Sequence, residues 1–297
     1  MERFRVIKWS DLGYMWRRIL TTPLIASYHH EMDKKSKALK AHKNNDLIQA
    51  RYESMTLMEQ MILLAAIGSA DPRELTSEQG IEITASTLSD LLNTDRGSIY
   101  GELKQAGKRL KRRVLSIKNP DPNNPRLSER ELSWVYQVDY FDDEGRLILY
   151  FHENMMPHLA NLNENYTAFF VRHVAKFRST YGIRLYELLV QWQSRGTREI
   201  EIDWLRESWR LENKYPRMAD LKKWVIQPAI RDINTYSNLW VKMGQRKRGR
   251  RIVALQFTFG LRQPEQPNPP KLSKQYIEKH ARPGETWEQA AARLKEK

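Results

Sequence analysis

Between Arg246 and Arg251 five of six residues are cationic: Arg246, Lys247, Arg248, Arg250 and Arg251, interrupted only by Gly249. Charges of one sign at that density repel one another, and an anion relieves the repulsion. Guanidinium forks and ammonium groups both suit phosphate oxygens. A second basic group lies upstream, Arg217, Lys222 and Lys223, in a segment with helical periodicity. On that helix Asp220, Lys223, Trp224, Gln227 and Arg231 fall on the face away from the apolar stripe. A basic helix followed by a cationic turn matches what duplex DNA requires. The helix supplies side chains that reach base edges, and the cations neutralise phosphates and release counterions. Within this helix Trp224 is expected to serve packing rather than base stacking.

Other chemistries find little support. A DNA-nicking enzyme needs a His-x-His metal pair near a nucleophilic Tyr. His29 and His30 are adjacent, so their side chains diverge, and His152, Glu153 and His158 lack zinc-helix spacing. No Gly-rich phosphate loop ends in Gly-Lys-Ser or Gly-Lys-Thr. The chain has no Cys, which removes disulfides, thiolate metal sites and Cys nucleophiles. The expectation is therefore no catalytic site, no metal and no cofactor.

Composition agrees with a folded, polyanion-seeking protein. The chain has 297 residues, 40% hydrophobic and 29% charged, with a formal net charge of +14. The excess is uneven. Lys and Arg outnumber Asp and Glu by 19 to 8 over residues 165–260, and are outnumbered by 18 to 13 over residues 46–160. One basic half in a chain of about two domains is expected to face a polyanion. The apolar run Met61 to Ile67 is far short of the ~20 residues a membrane span needs. Arg17 and Arg18 interrupt the only candidate leader stretch, so a cytoplasmic protein is expected.

The elements that would position these residues occur twice in one order. In the first copy, Glu53 to Gly68 reads as a helix, Ile81 to Ile83 as a short strand and Ala85 to Leu92 as a helix. A long helix then follows Asp95 to about Val114, with Lys104, Lys108, Lys111 and Arg112 on its polar face. A hairpin, Trp134 to Phe141 and Leu147 to Phe151, closes the copy around the acidic turn Asp142-Asp143-Glu144. In the second copy, Phe169 to Arg178 and Ile183 to Trp192 read as helices parted by Tyr181-Gly182. Glu199 to Ile202 reads as a strand, Asp203 to Trp209 as a helix, and Met218 to about Asn234 as a longer helix disturbed at Pro228. Trp240 to Met243 and Ile252 to Phe259 form the last hairpin, around the cationic turn Gly244 to Arg251.

Helix, short strand, helix, longer helix and hairpin is the order of the winged helix, whose hairpin is the wing. The expected class is α+β: two tandem winged-helix domains with pseudo-duplicated topology. The expected divisions are a basic arm at 1–45, a first domain at 46–160, a second at 161–262, and a Pro-rich linker with a short helical tail at 263–297. Pro264, Pro267, Pro269 and Pro270 mark the linker. The second domain is the expected DNA reader, through Arg217, Lys222, Lys223, Gln227, Arg231 and the five wing cations. The first, with its acidic wing, is expected to self-associate and to make auxiliary DNA contacts through Lys104, Lys108, Lys111 and Arg112.

Four segments carry a family resemblance: NNDLIQARYESMTLMEQMILL from Asn44, KFRSTYGIRLYELLVQW from Lys176, KYPRMADLKKWVIQPAIRDIN from Lys214 and IVALQFTF from Ile252. Together they resemble the iteron-binding plasmid replication initiators of the RepA/RepE type over about residues 44–260. The resemblance implies that the C-terminal domain grips repeated origin sequences, the iterons, and that the N-terminal domain supports dimerisation. It implies monomers that bind the direct repeats of the origin and start replication, and dimers that bind an inverted-repeat operator and repress the initiator's own gene. Arg217, Lys222 and Lys223 match the basic start of the family's reading helix. Implied partners are the host replication initiator, the replicative helicase and chaperones that convert dimers to monomers. The alternative is a transcriptional repressor of the same fold with no initiator role.

Overall fold

The computed structural model describes residues 39–121, 123–262 and 274–295. Most of the N-terminal arm, His29 and His30, and the linker prolines 264, 267, 269 and 270 lie outside the described residues.

Local sequence sets the first module. Thr56 accepts the N–H of Glu59 at 3.2 Å while the Glu59 carboxylate accepts the N–H of Thr56 at 3.1 Å. This capping box starts α2, Leu57–Ser69, which follows a short α1, Asn45–Gln49. Strand β3, Ile81–Thr84, buries Ile81 and Ile83, and α3, Ala85–Leu92, ends at Asn93 in the left-handed region. Asp95 accepts the N–H groups of Gly97 and Ser98 and starts α4, Arg96–Leu110. Ile99, Leu103, Ala106 and Leu110 face inward. The hairpin of β6, Val135–Phe141, and β7, Arg146–Phe151, turns at Gly145, φ 61°, and β7 pairs with β3.

The second module repeats this plan. After the short α5, Met156–Leu159, helix α6, Thr180–Val190, precedes strand β9, Thr197–Glu201, and α7, Ile202–Ser208. The long helix follows as α8, Met218–Leu221, a π-helical turn at Lys222–Ile226, and α9, Gln227–Tyr236. Strands β10, Leu239–Arg248, and β11, Arg251–Leu261, form the wing. In both sheets the second wing strand lies in the middle, flanked by the first wing strand and the short strand, in the orders β3-β7-β6 and β9-β11-β10. The duplicated winged-helix topology is thus present in strand pairing as well as in element order.

Several expectations need correction. Residues 40–44, placed in the arm, form β1, Lys40–Asn44, which pairs antiparallel with β8, Tyr166–Phe170. That pairing also overturns the expected helix over Phe169 to Arg178, because partners so far apart in the chain leave no local periodicity. Tyr181 and Gly182 lie inside α6 rather than before it. The Asp232 carboxylate on α9 accepts the N–H groups of Arg178 and Ser179 at 2.9 and 2.8 Å, and so replaces a local cap. A Cβ on Gly182 would sit 3.1 Å from Asp232 Oδ2 and from Phe177, so glycine permits this close approach. The first module also carries an unexpected hairpin, β4, Val114–Lys118, with β5, Glu129–Ser133. Helix α4 therefore stops at Leu110, and β2, Arg51–Tyr52, pairs with β4. The wing turn of the second module is only Gly249-Arg250, with Gly249 at φ 61°.

The two modules share one compact unit that ends at Gly260. Their seam contains a buried ion pair: Lys43 Nζ on β1 donates to Glu187 Oε1 on α6 at 2.6 Å. Beside it Arg184 donates to the carbonyl of Ala50 at 2.6 Å and lies 3.7 Å over the Tyr52 ring. Burial draws the Lys43 ammonium below its usual pKa, against the opposing pull of Glu187.

The second unit, from Leu261 onward, contains α10, Lys274–His280, and α11, Trp287–Lys295. Ile277, Ala290 and Ala291 form its small core, and Arg293 bonds Glu285 at 2.7 Å.

Candidate nucleic-acid interface

Helix α9 and the turns before it are anchored along one face. Leu221, Val225, Ile226, Ala229 and Ile233 are fully buried, so the opposite face is directed to solvent. Lys223, Trp224, Gln227 and Arg231 occupy that exposed face. Asn234 ties the helix to the wing by two bonds to Val241, 2.9 Å to its carbonyl and 2.8 Å from its N–H. The expected disturbance at Pro228 takes the form of the π-helical turn at Lys222–Ile226. Proline has no N–H, and its ring crowds the carbonyl four residues back, so the helix widens by one residue before it.

The predicted site residues fall into distinct settings. Arg217 is exposed and donates from Nε to Asp220 at 2.7 Å, which raises its already high pKa. Lys222 is half-buried and donates to Gln245 on the wing at 2.7 Å, so it bridges helix and wing. Lys223 places its ammonium 4.5 Å from the Trp224 ring centroid. Gln227 and Arg231 are exposed on the next turns. Trp224 departs from the packing role expected of it: it is 56% exposed.

The wing cations divide in two, because Arg246 and Arg251 find carboxylates of the same module. Arg246 Nε donates to Glu199 at 2.9 Å, and its Nη2 donates to Glu201, both on β9. Its hydrogen bonds, after that of Gln256, hold the Glu199 carboxyl below the usual range. Arg251 reaches Asp203 at 3.3 Å, with both side chains exposed. Strand pairing in three dimensions brings these carboxylates to the wing from about 50 residues upstream. Among the described residues, Lys247, Arg248 and Arg250 have no carboxylate within salt-bridge distance.

The first module presents a different surface. Lys104 donates to Asp142 of the acidic turn, so one of its four predicted cations is neutralised by its own wing. Arg146 braces the same turn through Glu144 at 2.6 Å and Glu82 at 3.2 Å, and stacks 3.6 Å over Phe141. Lys108, Lys111 and Arg112 are exposed at the end of α4. Arg109 and Arg113 turn inward to the fully buried Glu59. His152 caps a short turn by accepting the N–H of Asn154 at 3.2 Å. Among the described residues no group of three or more His, Asp or Glu side chains gathers as a metal site, and no helix is long and apolar enough to cross a membrane.

Sequence reasoning missed the seam, and it gave Trp224 a packing role although the helical period had already set it on the face away from the core. Glu187 and Arg184 sit among apolar residues in the sequence, a signal of buried charges that seek partners.

Comparison with known proteins agrees with this architecture. The chain is 29% identical over 227 residues to a replication initiation protein of Escherichia coli, covering 74% of this chain and 69% of that protein. It is 24% identical over 261 residues to the PI protein of Escherichia coli, covering 77% and 84%. The crystal structure of Pi initiator protein in complex with iteron DNA superposes with a TM-score of 0.66 at 23% identity, covering 77% of this chain and 99% of that one, which shows the shared fold. The family model described as "Initiator Replication protein, WH1" matches residues 40–190, and "Initiator Rep protein, WH2" matches residues 201–259. The first match runs from β1 through α6 and the second from the end of β9 through the wing of the second module, and the chain belongs to the initiator replication protein family.

Proposed function

We propose that the chain initiates plasmid replication by gripping iteron repeats with its second winged helix, and that as a dimer it represses its own gene. The observation that carries this reading is one exposed basic surface. Lys223, Gln227 and Arg231 face solvent from a helix whose opposite side is core, and Lys247, Arg248 and Arg250 extend from the wing bonded to that helix. The helix suits base edges in the major groove, and the wing suits the adjacent phosphates. In the first winged helix, Lys108, Lys111 and Arg112 supply auxiliary phosphate contacts, and residues 46–160 carry self-association. The protein acts in the cytoplasm without a cofactor. The host initiator, the helicase and chaperones are its proposed protein partners.

Footprinting on the DNA that flanks its own gene tests the reading. Protection of tandem direct repeats, with an inverted repeat at the promoter, is the expected result. Protection of the inverted repeat alone assigns a repressor without initiator role. Absence of any protected segment overturns DNA reading by this surface.

A further inference from the structure

We infer that Trp224 is a specificity-determining residue that reads thymine, packing its indole against 5-methyl groups in the major groove. This rests on the proposed reading of duplex DNA by the second winged helix. Trp224 is the most exposed large apolar side chain among the described residues, at 56%. Leaving an indole in water forfeits the burial energy that normally places tryptophan in a core. It shares its exposed side of the helix with Lys223, Gln227 and Arg231.

The backbone favours the same position. Trp224 is the residue four before Pro228, so its carbonyl is the one the proline ring crowds and leaves without an α-helical donor. The π-helical turn at Lys222–Ile226 opens around it, and such turns often mark functional sites. The Lys223 ammonium, 4.5 Å from the ring centroid, covers part of the indole and carries charge toward the same surface. Among major-groove edges the apolar group is the thymine methyl, while the other groups are hydrogen-bond donors and acceptors. Lys223 and Gln227 suit those polar edges, and the indole suits the methyl.

The test uses the full chain and the footprinted segment, amplified from primers that flank it once with dTTP and once with dUTP, which removes every thymine methyl within the segment. Affinities are read by fluorescence anisotropy, with a random duplex as reference. Wild type is expected to bind uracil DNA about fourfold more weakly for each methyl buried. Trp224→Ala is expected to bind both DNAs equally, and Trp224→Phe to retain part of the preference. An equal affinity of wild type for the two DNAs overturns the inference, as does an undiminished preference in Trp224→Ala. If wild type prefers the repeat segment over random duplex but ignores the methyls, only the role of Trp224 falls. If it shows no preference for the segment, the DNA-reading proposal falls with it. Trp224 is exposed, so folding of both variants is checked by an unchanged circular dichroism melt.

Discussion

Lys43 on β1 and Glu187 on α6 meet at 2.6 Å between the two winged helices, with 4% and 1% of their side chains exposed. The pair joins residues 144 positions apart. Each ion has given up its hydration, so each depends on the other and on the polar groups around them.

Removing one partner is therefore expected to cost more than removing both. Glu187→Gln should destabilise the protein by about 3–5 kcal/mol in urea unfolding, because the buried Lys43 ammonium loses its counter-ion. Lys43→Met should cost less, since Arg184 lies 4.0 Å from the other Glu187 oxygen. The double variant Lys43→Met with Glu187→Leu should recover much of that loss. Additive losses would show that the two side chains act independently.

The wing should act mainly through phosphates. Replacing Lys247, Arg248 and Arg250 with Ala should weaken binding to every DNA sequence. The slope of log K against log salt should fall by about one unit for each phosphate no longer neutralised. Arg246→Ala should change the slope less, since Glu199 and Glu201 already hold that guanidinium. An unchanged slope in the triple variant would remove the wing from the interface.

The two adjacent lysines should separate. Lys223→Ala is expected to cost about 1–3 kcal/mol on the specific site and less on random duplex, as for a base contact. Lys222→Ala should weaken both DNAs alike, because Lys222 bonds Gln245 and bridges helix to wing. Equal losses on the two DNAs for Lys223→Ala would demote it to a phosphate contact.

The acidic turn of the first module is expected to oppose DNA. Asp142→Asn frees Lys104 and removes one repelling charge. Binding to random duplex should strengthen at low salt, with a steeper salt slope. An affinity equal to wild type would show that this face stays away from DNA.

Much of the architecture was legible because it is local. Asp95 as an N-cap, the stripe Ile99, Leu103, Ala106 and Leu110, and the alternation at Ile81 and Ile83 each follow from interactions a few residues apart. The order of these elements named the fold, and the excess of cations after residue 165 pointed to the second copy. Tertiary structure alone decided what depends on distant partners. Strand β8 exists because Lys40–Asn44 lies beside it, and α6 starts at Thr180 because Asp232 caps it from α9. The cations of the wing looked equivalent in sequence. Folding gave Arg246 and Arg251 carboxylates from 45 to 48 residues away. The helical period already set Trp224 on the face away from the core, but only the fold shows that no neighbouring element among the described residues covers it there, against the packing role its residue type suggested.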